Sequence, residues 1–438
     1  MRYLRLSCAA VAAILFCALA LAQGDPKTIL REISDLRAAK TKEARDSGKP
    51  FTRDVMNAIN AEVKAKADAA IKDVDPAKIA ARDALDWAQV FAIAGRNKEV
   101  CDLAGRFVAS GPTAEQKFTA QMLMMQACNA LGEADMLAAT LSQVRAPNAA
   151  TAAGLAGTAA MYAQTIAEKQ GPDAAIKALS AVEAGMIYDD PQAMADRSFE
   201  RQQQIIASNP SYRAQTKEQL LAAAKAQNES TKFMFAETKA ELLSEAGRTA
   251  DAVKVLDAFL ASADPAGPIF RSAKMFKTRL TLKGSIAPPL AVERSYGGFT
   301  DLASLKGKVV IIDTFAHWCG PCIASFPDMR KLYDELKPKG LEVVGVTTYY
   351  GYYKSENVQK RDMDKDAEFA RMADFMKEQN INWPVVYGDR SNFEKYGVTG
   401  IPTVFLIDRK GVVQAIHVGY SPETFKAFRA KVEELLSK

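Results

Sequence analysis

Apolar positions along the chain follow two different periods, and the change between them divides it. From about Asp25 to Ala263 they recur at helical spacing in an Ala-rich background, with acidic and basic residues on the intervening faces and almost no strand-like alternation. This predicts an all-α region. Within it a turn recurs at Ala94-Gly95-Arg96, Leu131-Gly132-Glu133, Gln170-Gly171-Pro172 and Ala246-Gly247-Arg248, each between the end of one helical run and the start of another. Gly95 to Gly132 is 37 residues, Gly132 to Gly171 is 39 and Gly171 to Gly247 is 76, which is two periods. The repeat is therefore about 38 residues, and a turn of another type is expected near 209, at Ser208-Asn209-Pro210. Similar second helices follow three of these glycines, as seen at Ala174 to Leu179 and at Ala250 to Leu256. Glycine tolerates the left-handed backbone that ends a helix, and alanine on both partners lets paired helices approach closely.

Asp264-Pro265-Ala266-Gly267-Pro268 interrupts this pattern, and residues 264–283 are expected to form a linker with a short amphipathic segment from Ile269 to Lys283. Beyond Pro288-Pro289, β-type runs alternate with helical ones. Strand signals lie at Val309 to Phe315, Leu341 to Thr347, Trp383 to Tyr387, Thr403 to Ile407 and Val412 to His417. Helices are expected from about Pro321 to Lys337, near Ala367 to Gln379, and from Pro422. Strand-helix alternation that closes with a hairpin, turning at Asp408-Arg409-Lys410-Gly411, and a final helix indicates an α/β sandwich. The expected domains are residues 23–263, all-helical repeats, and 284–438, α/β.

The first residues follow neither pattern. Arg2 and Arg5 precede an apolar run from Leu6 to Leu19, and Ala20-Leu21-Ala22 is a small-residue cleavage site before Gln23, so residues 1–22 read as a secretory signal. An uncleaved anchor is the alternative, although the run is short for a bilayer that requires ~20 apolar residues. Phe16 before Cys17 argues against lipid attachment. The mature chain is expected outside the cytoplasm, in the periplasm. The net charge of +5 is spread over 57 basic and 52 acidic residues with no basic tail or patch, which argues against a nucleic-acid partner.

Of six cysteines, Cys8 and Cys17 lie in the leader, leaving Cys101, Cys128, Cys319 and Cys322, too few for a disulfide framework in so long a chain. The Cys319-Gly320-Pro321-Cys322 segment has the spacing of a redox-active dithiol and sits at the start of a predicted helix. Unpaired amides and the helix dipole there stabilise a thiolate and lower a cysteine pKa from ~8.5 toward ~7. Cys319 is then the nucleophile, and Cys322, one turn further on, resolves the mixed disulfide. Pro321 suits a first helical turn because its missing N–H would have no partner there. A zinc site would need a second pair, and Ile323 stands where haem attachment needs a histidine, so no metal or cofactor is expected. Cys101 and Cys128 fall on neighbouring predicted helices. Buried free thiols are expected, since a bridge requires the two helices to match closely in register.

The segment Asp313-Thr314-Phe315-Ala316-His317-Trp318-Cys319-Gly320-Pro321-Cys322 resembles the active-site segment of thioredoxins, and the wider pattern resembles the exported TlpA/ResA-type thiol:disulfide reductases. The likeness extends to Gly284-Ser285-Ile286-Ala287-Pro288, Leu305 to Val310, Pro327 within the active-site helix, and Tyr396 to Thr403. It implies a thioredoxin-like fold over about 284–438, a cis Ile401-Pro402 bond facing the dithiol, and a buried Asp313 that helps deprotonate Cys322. An exposed strand-end Asp313 is the alternative. Trp318 and Gly320 belong to the same motif. Many members of the exported branch carry Glu three residues after the second cysteine, where this chain has Ser325, so Asp313 would serve alone and the substrate subfamily stays open. The glycine-turn pairs of the first domain resemble tetratricopeptide-type hairpins.

As an imidazolium His317 would favour the Cys319 thiolate; the alternative is a solvated loop residue. Tyr349-Tyr350-Gly351-Tyr352-Tyr353 is expected to form an aromatic loop near the site, either gripping a substrate chain or packing on the inserted helix. The function expected is reduction of protein disulfides, with a membrane thiol-electron carrier as reductant and a protein partner on the helical repeats. A repeat scaffold with the dithiol as sensor, and a disulfide oxidase or isomerase, are the alternatives.

Overall fold

A computed structural model describes residues 24–438 apart from Lys49, Pro210 and 355–358, so the secretory signal expected at 1–22 lies outside the described residues. Contacts divide the chain into two compact units, residues up to Leu242 and residues from Leu243.

The first unit is all-helical, as its periodicity predicts. Its helices are α1 (Pro26–Asp46), α2 (Arg53–Ile71), α3 (Ala84–Ile93), α4 (Asn97–Ala109), α5 (Ala114–Leu131), α6 (Ala134–Gln143), α7 (Ala149–Gln170), α8 (Pro172–Ala184), α9 (Pro191–Ser208) and α10 (Lys217–Glu245), the last running past the division. From α3 to α8 each helix packs on its neighbour in sequence, and α6 also packs on α8. Caps fix the starts: Asp25 accepts from Thr28 N–H, Asn148 from Thr151 N–H, and Thr113 forms a capping box with Gln116. The repeating glycines do what their spacing requires, with φ of 75° at Gly95, 71° at Gly132, 86° at Gly171 and 77° at Gly247. The helix stop of another type expected near 209 is present, since α9 ends at Ser208. Asn209 has φ −140°, and no helix restarts among the described residues until Lys217, so the regular spacing is interrupted there.

In the second unit, α11 (Thr249–Ser262) packs on α12 (Pro268–Leu282), a helix formed by residues expected as linker. Its anchor is Arg279, buried, whose Nη1 donates to Thr399 Oγ1 at 2.8 Å while its guanidinium lies 4.8 Å from the Phe276 ring centre. Gly397 approaches α12 so closely that a Cβ there would stand 2.2 Å from Met275 O. A segment that looks like a tether is therefore held against the chain just ahead of Pro402.

The remaining elements are β1 (Arg294–Tyr296), β2 (Val309–Thr314), α13 (Gly320–Leu336), β3 (Leu341–Thr347), β4 (Tyr353–Lys354), β5 (Gln359–Lys360), α14 (Lys365–Glu378), β6 (Val385–Tyr387), α15 (Ser391–Lys395), β7 (Thr403–Ile407), β8 (Val413–Val418) and α16 (Pro422–Leu436). Six strands form one mixed sheet in the order β1-β6-β3-β2-β7-β8. β3 runs parallel to β2 and β6, while the β1/β6, β2/β7 and β7/β8 pairs are antiparallel. β2 is central and buried along its whole length. Val309, Ile311 and Phe315 join the core that contains Cys322, Phe326 and Met329 of α13; Val310 and Ile312 join the core on the opposite face with Tyr396 and Phe405. No helix among the described residues is long and apolar enough to cross a membrane.

Candidate active site

Six buried residues of β2 deliver the chain to a short loop, Phe315 to Trp318, and α13 starts immediately beyond it. Cys319 is the N-cap of α13, and its sulfur accepts the Cys322 N–H at 3.2 Å. A helix N-terminus leaves its first amides without intrahelical partners, so this sulfur occupies the position where negative charge is best stabilised. Cys319 and Cys322 are joined, with an S–S distance of 2.04 Å. Both are buried, but Trp318 is 40% exposed and Gly320 and Pro321 are exposed around them, so a second chain can reach the disulfide along one edge.

The Ile401-Pro402 bond is cis, and the Ile401 carbonyl oxygen lies 3.7 Å from Cys319 Sγ. This segment is tied to the dithiol strand through one hydroxyl. Thr314 Oγ1 donates to Thr403 C=O at 2.8 Å and accepts Thr403 N–H at 3.2 Å. Thr399 and Gly400 are exposed and Ile401 is half-buried, which leaves a short stretch of backbone beside the dithiol facing solvent.

Alternation along β2 puts Asp313 on the same face as Ile311 and Phe315, the face that α13 and Cys322 cover. Asp313 is fully buried rather than an exposed strand end, and neither carboxyl oxygen has a hydrogen-bond partner among the described residues. Burial therefore favours its neutral form and pushes its pKa up to about 7. An acid poised near neutrality can take a proton from a neighbouring thiol and return it.

His317 is not the solvated loop residue considered from sequence. It is 1% exposed, its Nδ1 lies 3.2 Å from both Lys354 N and O, and burial pushes its pKa down. That burial works against the imidazolium considered beside Cys319. Its neighbours are the tyrosines: Tyr353 stacks on it at 5.1 Å between ring centres, and Tyr350 and Tyr352 meet it edge-on at 5.7 and 5.5 Å. Tyr350 also meets the Trp318 ring at 5.4 Å. The aromatic loop thus packs inward on His317 while bordering the exposed Trp318.

One residue at this site was missed by sequence reasoning. Glu368 of α14 is buried, and its carboxylate accepts Tyr350 N–H at 2.9 Å and Gly351 N–H at 2.8 Å, with His317 Nε2 3.9 Å away. It pins the aromatic loop. Nothing in the charged stretch around it distinguishes Glu368 from its exposed neighbours except its place at the start of a predicted helix. Ser325, where many members of the exported branch carry Glu, is buried and donates to Cys322 C=O at 2.7 Å. Pro327 lies inside α13.

Comparison with known proteins places these features in a wider group. A family model described as Redoxin matches residues 282–436. Over 143 residues the chain is 33% identical to the thiol-disulfide oxidoreductase ResA of Bacillus subtilis, covering 32% of this chain and 70% of that protein. It is 30% identical over 137 residues to the thioredoxin-like protein YneN of the same organism, covering 31% of this chain and 72% of that one. Among solved structures, a thiol:disulfide interchange protein of the thioredoxin family from Chlorobium tepidum is 29% identical, covering 34% of this chain and 98% of its own, with a TM-score of 0.25.

Proposed function

The chain belongs to the thioredoxin-like thiol-disulfide oxidoreductases, and from that premise we propose that it is an exported reductase of protein disulfides. The observation that carries the reading is the buried Asp313 carboxyl on the sheet face that Cys322 covers, poised near neutrality to accept the resolving proton. In the reduced protein the Cys319 thiolate attacks a substrate disulfide, expelling one substrate sulfur as thiolate and forming a mixed disulfide. Asp313 takes the Cys322 proton, and the Cys322 thiolate attacks Cys319 Sγ. The second substrate sulfur leaves and is protonated. Two electrons have passed to the substrate, and the Cys319–Cys322 disulfide is the product. A membrane thiol-electron carrier returns two electrons.

Trp318, the half-buried Ile401 and the exposed Thr399-Gly400 backbone form the surface on which an extended substrate segment pairs. The Gly320-Pro321 pair between the cysteines, as in reducing members, supports the direction. The leader at 1–22 supports export to the periplasm. The helical unit recruits partners through tetratricopeptide-like hairpins; a cavity of about 360 Å³ lined by Met186, Tyr188, Arg197, Arg201 and Asn228 is a suitable surface.

The test is a redox titration of the dithiol combined with substrate capture. A potential near ~−270 mV supports a reductase, and one near ~−120 mV an oxidase. Cys322→Ser should accumulate protein partners disulfide-linked to Cys319 in cells. Absence of such adducts in a protein with a sluggish dithiol would favour the scaffold reading instead.

A further inference from the structure

The helical unit contains a second pair of cysteines that the dithiol chemistry does not use. Cys101 lies in the middle of α4 and Cys128 near the end of α5, 27 residues apart in sequence, and their sulfurs are 3.3 Å apart. Both are reduced and buried, Cys101 at 7% exposure and Cys128 at 0%, within the core formed with Val100, Leu103, Ala104 and Ala127. Free thiols are the expectation where two neighbouring helices fail to match in register. Here they match. The sulfurs need to approach by only about 1.3 Å to reach a bonding distance of ~2.05 Å, within reach of side-chain rotation.

We propose that Cys101 and Cys128 are a second redox pair, closing to a disulfide that staples α4 to α5. The oxidant is a disulfide, either a small-molecule thiol dimer or an oxidising protein. The Cys101 thiolate attacks one of its sulfurs and expels the other as thiolate. Cys128 attacks Cys101 Sγ, and its proton passes to the second sulfur as that sulfur leaves. Two electrons pass to the oxidant, and the two thiols give up their protons. The order follows from the site. Cys101 is the more exposed of the two, at 7% against 0% for Cys128, and so is the one an oxidant meets first. Once formed, the bond is shielded by the core and by helix amides already engaged, so it is a structural link and not a turnover site. The proposal concerns the helical unit alone and stands or falls independently of the reductase reading.

The experiment equilibrates the full chain with glutathione at graded ratios of oxidised to reduced form, quenches by alkylation during unfolding, and maps peptides by mass spectrometry without reduction. A peptide pair joining Cys101 to Cys128 is expected. The helicity-monitored unfolding midpoint should rise by about 5–10 °C on oxidation, and a C101A/C128A variant should lose that response. Full alkylation of both residues at every ratio would overturn the proposal, as would glutathione adducts on Cys101 without the cross-link. A cross-link that leaves the midpoint unmoved would overturn the staple.

Discussion

Two cysteine pairs in one chain are surrounded by different physics. Cys319 stands at a helix start, where its sulfur accepts a backbone N–H and exposed Trp318, Gly320 and Pro321 surround it. Cys101 stands in a helix interior, where backbone amides are committed to carbonyls one turn earlier, and its sulfur contacts that of Cys128. Asp313 lies behind the first pair, and alanine and leucine surround the second. Amides at a helix start, a buried carboxyl and an open edge surround the first pair. The second pair has none of these, only two sulfurs 3.3 Å apart in an apolar core.

The largest effect should come from removing the nucleophile. Cys319→Ser is expected to lower turnover on a model protein disulfide by about 10³-fold or more. The C101A/C128A variant should stay within about twofold, since that pair belongs to the other unit of the chain and has no part in the thiol exchange proposed for Cys319 and Cys322. Comparable losses in both would erase the distinction between the pairs.

Asp313→Asn sharpens it in two ways. The resolving step should slow by about 10²-fold at neutral pH, and the inflection near pH 7 should vanish from the rate profile. Stability should move in the opposite direction. A carboxyl whose folded pKa is raised binds its proton more tightly folded than unfolded, so its favourable contribution is present below ~pH 4 and is lost as pH rises through about 7. At pH 8 the ionised, unpartnered group costs on the order of 4 kcal/mol, and the Asn variant should unfold at higher denaturant by an amount that shrinks as pH falls toward 4. A stability difference that is flat with pH would refute this placement of the proton.

Glu368→Ala should follow. It strips the acceptor from the Tyr350 and Gly351 amides, at a cost of about 1–3 kcal/mol, and should raise KM for protein substrates while leaving small disulfides unaffected. Glu368→Gln, which keeps an acceptor oxygen, should recover most of the loss. Equal KM changes for both substrate classes would mean that the aromatic loop does not border the substrate. The smallest effect is expected from Ser325→Ala, which removes one hydrogen bond to Cys322 C=O, worth about 1 kcal/mol of stability, with turnover nearly unchanged.

Much of this molecule is legible along its chain. The change of period near Ala263, the left-handed glycines at 95, 132, 171 and 247, the buried β2 run and the dithiol at a helix start all follow from local rules about spacing and backbone freedom. Asp313 is legible too, because a carboxylate closing an apolar strand lies on a defined face. β1 is not, since Arg294, Ser295 and Tyr296 have no alternation and form a strand only because β6 offers them an edge. The length of the gap from Ser208 to Lys217 and the docking of the amphipathic 269–283 segment through Arg279 on Thr399 are also hidden.

What the sequence by itself determined is the chemistry: a thiol pair one helical turn apart, with the nucleophile where helix amides are free, is set by residues close in the chain. What only the tertiary structure decided is who their neighbours are. His317 is buried because three tyrosines from another strand end close over it; Glu368 matters because its carboxylate reaches two amides 17 and 18 residues away. Cys101 meets Cys128 because two helices match in register across 27 residues. Burial and proton affinity are properties of surroundings, and those surroundings are assembled from residues that are distant along the chain.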